Sequence, residues 1–302
     1  PRAAPHEGFG TPASIDATLA ECLDGLARLT FDRNMTDRVA NAARARAAAL
    51  QGAFQTRLRH GHVRECHGDL HLGNIVLLDG NPTPFDCLEF EPRLRWIDTA
   101  SDIAFPFMDL LHHGRQDLAY RLLNAYLERH GDYAGLAVLP FYVALRALVR
   151  ARVLLERARQ RHTESTALDL VHVECRTLLN LAFQFLTLPA APLCVMHGLS
   201  GSGKSTVAAT MSETRAMVRV RSDVERKRLR NANAQQESRY SDSVTARTYR
   251  RLLAICRLGC TAGFPMIADA TFLSHDQRAR FANQARRLGV RFFIVDCKAP
   301  VE

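Results

Sequence analysis

Gly198-Leu199-Ser200-Gly201-Ser202-Gly203-Lys204-Ser205, followed by Thr206, fits the pattern G-x-x-x-x-G-K-[ST]. Such a segment does its chemistry largely through the backbone. Glycines let the chain curl until several N–H groups converge on one phosphate, and a helix opening near Lys204 adds its positive end. The Lys204 ammonium reaches the outer phosphates, and the Ser205 hydroxyl suits Mg²⁺. An apolar run, Leu193 to Met196, precedes the loop and a helix-compatible stretch follows it, which is the context this chemistry needs. Residues 198–206 are therefore expected to cradle ATP with Mg²⁺.

A second constellation lies far upstream, at His67-Gly68-Asp69-Leu70-His71-Leu72-Gly73-Asn74, with Asp86 beyond the apolar stretch Ile75 to Leu78. In kinase-like folds a loop Asp accepts the proton of a substrate hydroxyl, an Asn five residues later holds one metal, and an Asp beyond the next hairpin holds the metals. Asp69, Asn74 and Asp86 fit those roles in order and spacing, with Asp69 as base and Asn74 and Asp86 as metal ligands. The arrangement resembles the aminoglycoside phosphotransferase and choline kinase family, whose loop reads H-G-D-x-H-x-x-N. Phe85-Asp86-Cys87-Leu88-Glu89-Phe90 and Arg95-Trp96-Ile97-Asp98 through Asp102-Ile103-Ala104 resemble the branch in which such a lobe is fused to a P-loop domain, the bifunctional aminoglycoside phosphotransferase/ATP-binding proteins. The resemblance implies that Asp102 accepts backbone hydrogen bonds from the loop and fixes its shape.

Around the P-loop, Asp223 ends an apolar strand and is followed by Arg226. A carboxylate there is placed to take the proton of an acceptor hydroxyl while Arg226 steadies an anionic group. Polynucleotide kinases and related P-loop kinases have a similar D-x-x-R. Asp269 ends the strand of Ile267-Ala268-Asp269 and is expected to hold Mg²⁺ in the manner of a Walker B acid. Arg278 reads as a surface helix residue, Arg146 and Arg150 as part of a basic solvent-facing helix, and Glu89, Glu91 and Asp98 as loop acids with one extra metal ligand conceivable among them.

These residues need a scaffold. Residues 15–59 read as helical, a strand-loop-strand region carries the upstream loop and Asp86, and helical patterns run from Leu110 to His130, Leu139 to Arg161 and Ala167 to Leu186. Two prolines in Leu188-Pro189-Ala190-Ala191-Pro192 mark a boundary. Beyond it, apolar strands at 193–196, 217–220, 265–268 and 290–295 alternate with helical stretches, as in a parallel sheet with crossover helices. The expected fold is an α+β, mostly helical kinase-like C-lobe over 1–188, a linker at 189–192, and an α/β P-loop domain over 193–302. The first lysine is Lys204, so the upstream lobe is read as lacking the N-lobe whose strand lysine pairs ATP phosphates, and the P-loop domain as lacking a C-terminal lid. The chain reads as an internal portion of a longer protein.

Composition bounds the partners. At 302 residues, 47% hydrophobic and 24% charged, the chain has the makings of two cored domains and carries no apolar run long enough to span a membrane. Pro1–Glu7 has no apolar core, so it is not a signal peptide, and the chain reads as cytoplasmic. The eight cysteines are scattered without a C-x-x-C pair and read as reduced core residues. Cys256/Cys260 and the group His60, His62, His67 and His71 are weak zinc candidates. The net charge of +9 reads as a solvated basic surface more than as a nucleic-acid footprint. The expected activity is transfer of the γ-phosphoryl of Mg·ATP to a hydroxyl of an unidentified small molecule. A regulatory ATP-binding protein and a nucleic-acid end kinase are the alternatives.

Overall fold

The computed structural model describes residues 8–161, 165–231 and 241–298, and the expectation attached to Pro1–Glu7 lies outside them. In chain order the helices are α1 (Pro12–Leu29), α2 (Arg33–Arg59), α3 (Pro92–Arg95), α4 (Thr99–His112), α5 (Gln116–His130), α6 (Leu139–Gln160), α7 (Ser165–Leu186), α8 (Lys204–Thr214), α9 (Ser222–Asn231), α10 (Asp242–Thr261) and α11 (His275–Arg287). The strands are β1 (Val63–Glu65), β2 (Ile75–Leu78), β3 (Asn81–Pro84), β4 (Trp96–Asp98), β5 (Leu193–His197), β6 (Val218–Arg221), β7 (Met266–Asp269) and β8 (Phe292–Asp296). They form two compact units, 1–115 with 138–188 and 116–137 with 189–302.

The first unit is mainly helical. The helical pattern expected over 15–59 is divided where Asp32 caps α2, its carboxylate accepting from Met35 N at 3.0 Å. α1 opens on Thr11, which accepts from Ser14 N, with Pro12 at the first helical position where no N–H is needed. Ile15, Leu19, Cys22, Leu23 and Leu26 form its buried stripe, and Phe141, Tyr142, Ala144 and Leu148 of α6 belong to the same unit's core. Two short antiparallel pairs, β1 with β4 and β2 with β3, frame the upstream loop. Arg57 of α2 grips Asp98 of β4 with Nε to Oδ2 at 2.6 Å and Nη2 to Oδ1 at 2.8 Å, and both side chains are buried.

The second unit is a four-stranded parallel sheet in the order β6-β7-β5-β8. β5 is buried from Leu193 to Met196 and β7 throughout, which is why both read as unbroken apolar runs instead of alternating ones. Cys194, Met196, Met217 and Ile267 pack together with Ala208 of α8. Burial pushes the thiol of Cys194 up to about 11 and that of Cys260 up to about 12, which disfavours the thiolate form of both at neutral pH.

Two sequence expectations need correction. The stretch from Leu110 to His130 is not one helix: α4 ends at His112, Gly114 turns with φ 70°, and α5 starts at Gln116. Nor does the division at 189–192 separate the units, because 116–137 lies with the P-loop residues. The reason is polar. β6 is an edge strand, and the buried Asn124 of α5 serves its outer side, accepting from Arg219 N at 2.7 Å and donating to Met217 O at 3.0 Å. Asn124→Ala would leave both backbone groups unpaired beneath α5, and a loss of about 1–3 kcal/mol is expected in chemical denaturation of the full chain.

Candidate functional site: a P-loop and the acids around it

The P-loop leaves β5 at His197 and enters α8 at Lys204. Its backbone passes through positive φ at Gly198, Gly201 and Gly203 (136°, 85° and 79°). At Gly198 a side chain is also excluded by contact, since a Cβ would run into Cys297 O and sit 2.8 Å from Ser202 Oγ. No side chain caps the start of α8, so its first N–H groups and the helix dipole face the loop. Lys204 is buried, and its ammonium donates to Leu199 O and lies 3.4 Å from Ser202 Oγ.

Asp269 is the last residue of β7, next to β5 in the sheet, and the loop after it is locked in place. Gly198 N donates to Thr271 O at 3.2 Å, and Phe272 N donates to the Tyr249 hydroxyl at 3.2 Å. Arg278 is not a surface arginine reaching outward: its Nη1 holds Phe272 O and Leu273 O at 2.6 and 2.8 Å. Burial raises the Asp269 carboxyl above its ordinary 3.8, against a hydrogen bond from Ser205 and the charges of Arg219 and Arg221. Asp269 Oδ2 is buried without a hydrogen-bond partner. A hard cation is the group that a hydroxyl and a buried carboxylate oxygen suit, since Mg²⁺ takes few protein ligands and fills its shell with phosphate and water. Ser205 and Asp269 therefore fit Mg²⁺.

Asp223 lies in the first turn of α9, directly after β6, and is partly exposed; Arg221 Nη2 donates to its Oδ2 at 2.9 Å. Arg226 follows one turn later. Glu225, between them, is buried and paired with Arg228 and with Arg251 Nε at 3.2 Å, which fastens α9 to α10. The P-loop, Asp223 and Asp269 thus all lie at the carboxyl ends of parallel strands, the rim where open α/β sheets bind ligands.

In the first unit the loop 67–74 is held from beneath. His67 N and Gly68 N donate to Asp102 at 3.2 and 3.0 Å, and Leu72 N donates to Asp109 at 2.9 Å. Gly68 has φ 87°, and a Cβ there would meet Leu94 O at 2.5 Å. Asn74 Nδ2 reaches Asp69 O at 2.9 Å and Asp69 Oδ2 at 3.3 Å. Burial holds His71 below its ordinary value although Asp69 lies 3.5 Å away. Asp86 follows Phe85, whose N–H donates to Asn74 O at 3.0 Å, and no hydrogen bond joins Asp86 to Asp69 or Asn74.

Several expectations for this unit change. Asp98 is no metal ligand, since Arg57 occupies both its oxygens and Ala100 N caps on Oδ1 at 2.8 Å. Glu91 caps α3. Arg146 and Arg150 do not form a solvent face: Arg146 stacks 4.8 Å from the Phe105 ring and donates to Ser101 O, and Arg150 lies 3.8 Å from Asp109. Among the described residues no three His, Cys, Asp or Glu side chains cluster as a metal site, so His60, His62, His67 and His71 are not brought together as one.

The sheet, loop and strand-end acids of the second unit define a P-loop nucleotide-binding domain. Residues 193–302 match the AAA domain family. Over 233 residues the chain is 34% identical to uncharacterized proteins of Mycobacterium bovis and of two strains of Mycobacterium tuberculosis, covering 75% of this chain and 46% of each relative. The chain thus spans about half the length of the curated relatives it matches. Among the described residues no helix is long and apolar enough to cross a membrane.

Sequence reasoning missed Asn124, Glu128, Arg219 and Arg221. The alternation of Arg219 and Arg221 with buried Val218 and Val220 was the available signal, because it puts both arginines on one face of β6.

The buried Asp269 has a measurable consequence. A carboxyl whose folded value is raised penalises the folded state as pH climbs from its ordinary value through the raised one. Asp269→Asn removes that penalty. The variant should melt higher than wild type near neutral pH, with the advantage shrinking toward about pH 4; equal melting temperatures throughout would contradict the assigned cause.

Proposed function

We propose that the P-loop unit transfers the γ-phosphoryl group of Mg·ATP to a hydroxyl of a small-molecule acceptor. The observation that carries this reading is the meeting of three groups at one rim of the sheet: the uncapped start of α8 with Lys204, the Ser205/Asp269 pair, and Asp223 after the edge strand. Residues 198–206 would bind the triphosphate through backbone N–H groups, and Lys204 would neutralise charge on its outer oxygens. Ser205 and Asp269 would hold Mg²⁺, which when bound supplies charge neutralisation at the phosphates.

Asp223 would accept the proton as the acceptor oxygen bonds to the γ-phosphorus and the bond to the bridging oxygen of ADP breaks. Arg221, already on the Asp223 carboxylate, keeps that side chain in one orientation, and Arg226 would steady an anionic group of the acceptor. Positioning and charge neutralisation carry most of such a reaction.

For the first unit we read the 67–74 loop as that of an aminoglycoside phosphotransferase-like lobe. Support comes from the Asp102 hydrogen bonds to His67 N and Gly68 N and from the contact of Asn74 with Asp69. Asp69 would be its base, with Asn74 and Asp86 its metal ligands.

Two measurements test the nucleotide site. Lys204→Ala should abolish most ATP binding in calorimetry, and unchanged affinity would sink the assignment. ATP-consumption screening of the chain against sugars, aminoglycosides, nucleosides and oligonucleotide ends, with mass analysis of products, identifies the acceptor. With it in hand, Asp223→Asn should cut kcat by about 10²–10⁴ while ATP affinity stays within a few-fold. Loss of ATP binding together with turnover would make Asp223 a nucleotide or metal ligand instead.

A further inference from the structure

Glu128 lies in the last turn of α5, where a negative charge opposes the helix dipole. A side chain placed against its local preference is expected where tertiary contacts or function require it. Its two oxygens are divided between two arginines of β6: Oε1 accepts from Arg221 Nη1 at 2.8 Å and Oε2 from Arg219 Nη2 at 3.3 Å. Each guanidinium passes its other nitrogen to the nucleotide rim. Arg219 Nη1 donates to the carbonyl of Ser205 at 3.0 Å, and Arg221 Nη2 to the Asp223 carboxylate at 2.9 Å. The Glu128 carbonyl also accepts from Arg228 of α9.

We propose that Glu128, a residue outside the segment that matches the AAA domain family, is a positioning residue for the nucleotide site, acting through Arg219 on Ser205 and through Arg221 on Asp223. The inference rests on the reading of Ser205 as a Mg²⁺ ligand. Arg219 and Arg221 occupy alternate positions on one face of an edge strand, so their like charges repel. One carboxylate between them cancels that repulsion and uses both guanidinium forks, which fixes where the remaining N–H groups point. Ser205 is thereby anchored by its carbonyl while its hydroxyl remains toward Asp269.

Calorimetry of ATP binding to the full chain, in Mg²⁺ and in EDTA, separates this role from general support of the fold. Partners in the outer shell of a metal site typically change its affinity by about 10–100-fold when removed. Glu128→Gln should therefore reduce the gain in ATP affinity that Mg²⁺ confers by about tenfold, with affinity in EDTA within about twofold of wild type. Glu213→Gln is the control for charge near Arg219, because Glu213 hydrogen-bonds Arg121 between α5 and α8 and makes no hydrogen bond to Arg219, Ser205 or Asp223, although its charge is felt by Arg219. It should leave both affinities unchanged.

Arg219→Gln cuts the same link from its other end. It should reproduce the loss, and the double variant should lose little more. A wild-type Mg²⁺ gain in both Glu128→Gln and Arg219→Gln, equal losses with and without Mg²⁺, or an equal effect of Glu213→Gln would overturn the proposal. Failure of the wild-type chain to bind ATP would instead overturn the nucleotide reading, and this inference with it.

Discussion

An edge strand leaves a row of backbone N–H and C=O groups with no neighbouring strand, and burying them unpaired costs about as much as losing hydrogen bonds outright. β6 is that strand here, and it leads directly to Asp223. The solution is a side-chain amide: Asn124 presents one acceptor and one donor to Arg219 N and Met217 O, as a partner strand would. Once α5 is held there, the rest of its contacts follow. Arg121 meets Glu213 on α8, Glu128 meets both β6 arginines, and the Glu128 carbonyl meets Arg228 on α9. The P-loop unit is built across a gap in the chain because the edge of its sheet has to be closed.

Around the P-loop, charged and polar groups are brought close together without pairing fully with one another. Lys204 rests on a loop carbonyl, Asp269 holds a buried carboxylate oxygen with no hydrogen bond, and the start of α8 is uncapped. The unpaired carboxylate oxygen and the uncapped helix start are unfavourable alone, and under the proposed function a triphosphate with a divalent cation would offset both. Arg219 and Arg221 moderate the site from below, since their charges oppose the effect of burial on Asp269. Much of this precision depends on rigid supports: Tyr249 and Arg278 together hold the loop after β7 by Phe272 N, Phe272 O and Leu273 O.

The first unit uses its carboxylates differently, two of them buried (Asp98 and Asp109) and Asp102 half-buried. Asp102 and Asp109 accept main-chain N–H groups at both ends of the 67–74 loop, and Asp98 is consumed by Arg57. These acids shape the backbone and leave Asp69 as the carboxylate of the loop in contact with Asn74. Arg146 over Phe105 and Arg150 beside Asp109 serve the same support, while Arg157 and Arg159 further along α6 are exposed.

The sequence alone determined what is local. The four strands of the parallel sheet were legible to within a residue or two, because buried parallel strands are short apolar runs bounded by breakers, and the phosphate loop was legible because its glycines and Lys204 act through adjacent backbone. Asp269 was legible as a strand-end acid, whereas Asp223, read as ending its strand, lies two residues beyond it in the first turn of α9. What only the tertiary structure decided is which distant elements share a unit. Asn124 lies 93 residues before Met217 and 95 before Arg219, and nothing in the periodicity of 116–130 distinguishes a helix that packs on its own neighbours from one that closes a remote sheet edge. The same holds for Asp98, whose role was settled by Arg57 forty-one residues earlier. Periodicity encodes which face of an element is apolar; the partner of that face, and of each polar group along its border, is selected by hydrogen-bond complementarity that exists only once the chain has folded.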